Sequence, residues 1–220
     1  MKIYLASANV DEIQWANGRR LIDGVLTTHG LVRDEDPSSE RSQLLDVCHA
    51  SQGPIFLTVH ALTAADVYRD GRELAKLSDR VVVQVPFIED AFEAIHRLTA
   101  DGVAVAATLI FSVAQAFLAA RAGAVSVIVP LDDLAIAGHD AVALLRELRA
   151  AFDASGCEAD IIALRPTNAA EFAACAAVGV DAVAVGTDVL RALLLHPLTD
   201  RGVDRFLQEL SKRHVSWSIV

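Results

Sequence analysis

The chain has 220 residues, of which 53% are apolar and 22% charged, a balance that supplies one sizeable core and argues against disorder. Its formal charge is −10, from 19 basic and 29 acidic residues with no basic stripe, which speaks against a nucleic-acid partner. Cys48, Cys157 and Cys175 lie far apart with no CxxC spacing, so neither a disulfide frame nor a zinc knuckle is expected. The opening MKIYLAS has too short an apolar stretch for a signal peptide, and no run approaches a membrane span. The expectation is a soluble, cytoplasmic protein with no membrane partner, folded as one domain over 1–220 with 198–220 as a C-terminal helix or tail.

In chain order, β-rich runs occur at KIYLAS (2–7), GVLTT (24–28), PIFLTVH (54–60) and VVVQVPF (81–87). Four more follow at AVAATLIF (104–111), VSVIVPLDD (125–133), DIIALRP (160–166) and AVAVGTD (182–188). A helical pattern follows each. In SSERSQLLDV the serines are N-cap candidates, TAADVYRDGRELAKL starts with Thr63 three residues before Asp66, and HDAVALLRELRAAF carries apolar residues at helical spacing. After the eighth run come DVLRALLLH and RGVDRFLQELSKRH, separated by Pro197. Eight βα units with nearly continuous apolar strands predict an α/β fold whose parallel sheet closes into a (β/α)8 TIM barrel. A doubly wound nucleotide-binding sheet would place glycines after its first strand, where this chain has ASANVDE.

Period-two alternation assigns the faces of the strands. In RVVVQVPF, Val82, Gln84 and Pro86 share the inward face, and Val81, Val83 and Val85 face the helices. The same parity near the C-terminal strand ends predicts a polar upper layer of Thr27, His29, Thr58, His60, Thr108, Asp132, Arg165 and Asp188, at the end where barrel enzymes keep their chemistry.

The order YLASAN, GVLTTHG, VVVQVP, AATLIFSVAQAFLAARAGA and HPLTDRGVDRFL resembles the small transaldolase family, in its fructose-6-phosphate aldolase-like branch, over nearly the whole chain. The family pattern at these places is YLD(T/S), GVTTNP, VKVP and a Thr-containing fifth strand that ends in AxQAxLAAxAGA. The fifth strand and its helix are the most specific match. The resemblance implies a TIM barrel, a Schiff base on the lysine of VKVP, and a homo-oligomer, a pentamer or decamer, built through the C-terminal helix. Gln84 stands in that lysine's place, and an amide cannot form an iminium because its nitrogen lone pair is delocalised. Of the other lysines, Lys2 and Lys76 are expected at the opposite face of the barrel and Lys212 in the tail. Ala6 stands for the family's first-strand Asp, TTH (Thr27, Thr28, His29) for TTN, and Pro130 for its phosphate-gripping Arg, while Thr108 is kept. These departures imply an enzyme without a Schiff base, of lyase or isomerase type, acting on a small anionic carbonyl or sugar-phosphate-like metabolite. The alternative is a catalytically silent barrel that serves as a binding or assembly partner.

Within that reading His29, His60 and Asp132 are the acid–base candidates, with hydrogen-bonded structural histidines as the bland alternative. Gln84 either orients a substrate with Thr27, Thr28, Thr58 and Thr108, or is satisfied internally by Thr58 or Thr108. Arg165 stands where the family has a small hydroxyl residue, near Gly186, Thr187 and Asp188. A guanidinium there suits a carboxylate or phosphate, unless it pairs with Asp132 or Asp188. No cofactor is required. A divalent metal on the two histidines and Asp132 is the minor alternative. Glu89 and Asp90 are read as favourable charge at a helix N-terminus, and HVSWSIV as a tail that packs on a neighbouring subunit or on its own barrel.

Overall fold

The computed structural model of the chain describes residues 1–27 and 37–212, the side chains of 37, 38 and 212 aside. The first half runs β1 (Lys2–Ala6), α1 (Val10–Gly18), β2 (Gly24–Leu26), α2 (Pro37–Ala50), β3 (Ile55–Thr58), α3 (Ala64–Ala75), β4 (Val81–Pro86), α4 (Ala91–Ala100) and β5 (Val105–Thr108). The second half runs α5 (Val113–Arg121), β6 (Ser126–Pro130), α6 (Leu131–Ile136), α7 (Ala141–Ser155), β7 (Asp160–Leu164), α8 (Ala169–Val178), β8 (Ala182–Val185), α9 (Thr187–Leu193) and α10 (Pro197–Lys212). All strand pairings are parallel, and β1 closes on β8 to complete the barrel.

Alternation along the strands separates two cores. Tyr4, Leu26, Phe56, Ile128, Ile162 and Leu164 point into the barrel, with small Ala106, Ala182 and Ala184 between them. Tyr4 and Phe56 meet there with ring centroids 5.1 Å apart. Val81, Val83 and Val85 belong to the outer core under the helices, while Val82 packs inside. Gln84 pairs in register with Thr58 and with Ala106. Gly71 lets α3 lie close to α4, since a Cβ there would meet Leu98 Cδ1 at 2.8 Å.

Helix starts follow from local chemistry. Asn9, Thr63, Ser112, Asp140 and Asn168 each accept a hydrogen bond from a backbone N–H in the first turn of the helix that follows. The predicted serine cap of α2 is corrected, because the helix already begins at Pro37, a residue whose missing N–H suits a first helical position. Several strands are also shorter than predicted. β3 stops at Thr58 and β5 at Thr108, β6 gives way to α6 at Leu131, and α9 starts at Thr187.

The N-terminal end of the barrel is held by ion pairs. Lys2 Nζ lies 3.4 Å from Asp160, and Arg149 reaches Asp181 at 3.1 Å and Asp153 at 2.9 Å. Lys76 follows α3 at the same end and donates to Glu73. At the other terminus, α10 carries Val203, Phe206, Leu207 and Leu210 at helical spacing, all exposed, with Phe206 60% exposed. Among the described residues, no helix is long and apolar enough to cross a membrane.

Candidate active site at the barrel mouth

At the C-terminal end of the strands lies a cavity of about 110 Å³. Its polar floor is Thr58, Gln84 and Thr108; Pro86, Leu109, Pro130 and Leu164 form apolar walls; Asp133 and Arg165 stand at its edge. Gln84 is 1% exposed, and its Nε2 donates to the backbone oxygen of Thr27 at 2.6 Å. Thr58 Oγ1 donates to the same oxygen at 3.2 Å, and Thr27 Oγ1 donates to Phe56 O at 3.0 Å. The amide is thus satisfied internally, as the bland expectation held, but by the Thr27 main chain instead of a threonine hydroxyl. Among the described residues the side chain makes that one hydrogen bond, and an amide can donate a second N–H and accept at its oxygen.

Arg165 follows β7 directly and pairs with Asp132, a partner that the alternative reading named, with Nε 2.9 Å from Oδ2; its two Nη nitrogens are not part of that contact. The two side chains are 42% and 25% exposed, a partly solvated pair of modest strength. Neither Arg165 Nε nor Asp132 Oδ1 has a well-directed hydrogen bond. Arg165 adopts φ 56°, and Leu109 on the same cavity adopts φ 61°. Non-glycine residues in the left-handed region cost about 1–2 kcal/mol each, so the surrounding structure must enforce them. Neighbouring turns do so. Arg165 N donates to Ala184 O at 2.8 Å, and Thr167 N to Glu171 Oε2 at 2.7 Å while Asn168 caps α8. After Leu109, Phe111 N donates to Gln115 Oε1 at 2.8 Å and the N-cap Ser112 accepts from Gln115 N, so the Gln115 side chain and main chain both tie down the entry to α5. Backbone strain of this kind concentrates at functional sites.

The remaining predicted residues divide. Thr58, Gln84, Thr108 and Arg165 line the cavity, and Asp132 reaches it through Arg165. His60 is corrected. It lies past the end of β3, where strand parity no longer holds, and its Nε2 is 3.0 Å from Glu40 of α2. It lines a separate groove with Leu44, Asp70 and Glu73, away from the floor. Asp132 is also relocated, from a strand end to the first turn of α6. Thr187 Oγ1 and Ser7 Oγ both donate to Glu12 Oε2, each at 2.6 Å, a bridge between the β1 and β8 sides that the sequence reading missed. Asp188 is exposed in α9, and a Cβ on Gly186 would come within 2.6 Å of its Oδ1. Gly186, Thr187 and Asp188 therefore flank the cavity without lining it. Thr28 and His29 lie outside the described residues, as does the tail after Lys212. Asp133, next to the predicted Asp132, was missed because only the helical turn at Leu131 aims it at the cavity.

Among the described residues, no three His, Cys, Asp or Glu side chains cluster as metal ligands do. Lys2 and Lys76 sit at the opposite end of the barrel, so neither amine reaches the floor on which Gln84 stands.

A solved structure of a FabK mutant from Thermotoga maritima superposes with a TM-score of 0.55 at 16% identity, over 84% of this chain and 60% of that one. That likeness shows the barrel fold alone. In sequence the chain is 36% identical over 213 residues to a probable transaldolase from Methanococcus maripaludis, covering 95% of this chain and 97% of that protein. It is 34% identical over 212 residues to one from Bacillus cereus, covering 96% and 98%, and 34% identical over 213 residues to one from Kosmotoga olearia, covering 95% of each. The family model described as transaldolase/fructose-6-phosphate aldolase matches residues 7–219, and the chain belongs to that family.

Proposed function

We propose that this chain is an aldolase-type lyase or isomerase that handles a small carbonyl-bearing metabolite without an enzyme amine. The observation that carries the reading is Gln84 on the floor of the mouth cavity, flanked by Thr58 and Thr108 and faced by Arg165. Relatives named probable transaldolases support aldolase-type chemistry, and the resemblance puts their Schiff-base lysine at the position of Gln84. An amide leaves carbonyl activation to hydrogen bonds. In this reading Gln84 and the two threonines orient the carbonyl, Arg165 holds an anionic end, and Asp132 or Asp133 moves the proton beside the carbonyl. His29 is a further proton carrier on sequence grounds. His60, paired with Glu40, takes no part. Three free, widely spaced cysteines suit a reducing cytoplasmic setting.

The test has two arms. Wild type incubated with dihydroxyacetone or fructose 6-phosphate and borohydride is expected to show no covalent adduct by mass spectrometry. Proton NMR in deuterium oxide is expected to show exchange beside the carbonyl of at least one small ketone or aldehyde, and Asp132→Asn or Asp133→Asn is expected to weaken it. A trapped lysine adduct would remove the amine-free reading. No exchange across the panel would leave the second reading, a silent assembling barrel. The exposed apolar face of α10 supports that reading's homo-oligomer, because such a stripe is stable in water when another surface covers it. Light scattering that finds a monomer would remove the assembly.

A further inference from the structure

We infer that the mouth cavity takes a two- or three-carbon monocarboxylate with a carbonyl or hydroxyl beside the acid group, and turns phosphorylated sugars away. The inference rests on the reading of the mouth as a metabolite site and names its substrate class.

Size is the first constraint. At about 110 Å³ the cavity holds the equivalent of roughly four waters at ~30 Å³ each, well below the ~300 Å³ at which pockets for drug-sized ligands begin. A short 2-oxo or 2-hydroxy acid fits that space, and a hexose phosphate is too bulky to lie wholly within it.

Charge is the second constraint. Among the described residues the cavity is lined by one guanidinium, Arg165, and one carboxylate, Asp133, and Arg165 is paired with a second carboxylate, Asp132. A phosphate monoester carries about −1.5 to −2 at neutral pH, so its extra charge would lie beside Asp133, and among the described residues Arg165, already paired with Asp132, is the lining cation that offsets it. A carboxylate brings one charge and a flat pair of oxygens. Arg165 presents Nε to Asp132, and its two Nη nitrogens carry four further N–H groups that suit a planar carboxylate.

The rest of the cavity fits the remainder of such a molecule. Gln84, Thr58 and Thr108 are uncharged donors and acceptors on the floor, opposite a carbonyl or hydroxyl. Leu109 and Leu164 flank the carbon skeleton.

The experiment is calorimetry and thermal shift on the full chain with four probes: pyruvate, lactate, dihydroxyacetone phosphate and uncharged hydroxyacetone. Because a ligand of the folded state stabilises by mass action, pyruvate or lactate is expected to give a saturable rise in Tm. The phosphate ester is expected to bind at least tenfold more weakly. Asp132→Asn removes one opposing charge and is expected to strengthen the phosphate ester at least tenfold. Asp132→Ser repeats the test should the first variant fold poorly, and the wild-type ranking stands independently of both. Tighter binding of the phosphate ester to wild type overturns the inference and leaves the proposed function intact. Equal binding of hydroxyacetone and pyruvate overturns the role of Arg165. If no probe binds but hydrogen exchange beside another carbonyl is seen, the substrate class falls alone; absence of both sinks the metabolite site and this inference together.

Discussion

Replacing Gln84 by leucine separates the structural from the functional work of the buried amide. Leucine approximates its bulk, so the change removes one hydrogen bond to Thr27 O, 2.6 Å long in the native protein, with little void. The acceptor keeps a partner, because Thr58 Oγ1 also donates to it at 3.2 Å. A lost internal hydrogen bond costs a net ~0.5–1.5 kcal/mol, and removing a buried polar group together with its desolvation offsets part of that. The expected loss is at most about 1.5 kcal/mol, a fall in Tm of no more than about 6 °C for a chain of this size. Gln84→Ala also empties volume and is expected to cost more, about 2–4 kcal/mol by comparison with other core truncations. Urea unfolding of the three proteins, with m-values compared to confirm a common transition, measures both differences. A leucine variant that loses more than about 3 kcal/mol, or is less stable than the alanine variant, would refute the reasoning and show that the amide anchors more than Thr27 O. The same leucine variant is expected to lose stabilisation by pyruvate while its own stability stays close to native.

Other substitutions probe the frame. Tyr4 is pushed up to about 12 by burial first and then by Asp160, Asp23 and Asp181. Its folded-state value lies above the ordinary value of 10.0, so its contribution is complete below pH ~10 and is lost as pH rises toward ~12, on the order of 2–3 kcal/mol. Tm measured against pH should therefore fall less steeply in Tyr4→Phe over that window; parallel curves would count against it. Arg165→Gly relieves a left-handed backbone worth ~1 kcal/mol and gives up a partly solvated pair of similar size, so urea midpoints should place it within about 1 kcal/mol of wild type and above Arg165→Ala. Gly53→Ala would put a Cβ 1.7 Å from Asp23 O, main chain against main chain, and should cost more than about 3 kcal/mol or prevent soluble expression. Gly18→Ala, in α1 with nothing within 4 Å of its new Cβ, is the contrasting control and should stabilise by about 0.5–1 kcal/mol.

The amino-acid sequence by itself determined the barrel and which strand residues face its interior. Eight apolar runs separated by helical patterns, with no glycine turn after the first, favour closure into a barrel, and parity along β4 sends Val82 and Gln84 inward and Val81, Val83 and Val85 outward, as observed. Parity holds because each strand is tied to two neighbours, so a residue's face follows from counting. Tertiary structure decided everything past the strand ends. His60, two residues beyond Thr58, left the interior for Glu40 because the chain had already turned toward α3. Asp132 and Asp133 came to the mouth on a helical turn instead of a strand. The sequence named Asp132 and Asp188 as possible partners of Arg165 and only the structure chose Asp132, while the meeting of Thr187 with Glu12 joins segments at opposite ends of the chain. Such pairings depend on the closure of β8 on β1 and the left-handed turn at Arg165, which no local pattern of residues encodes.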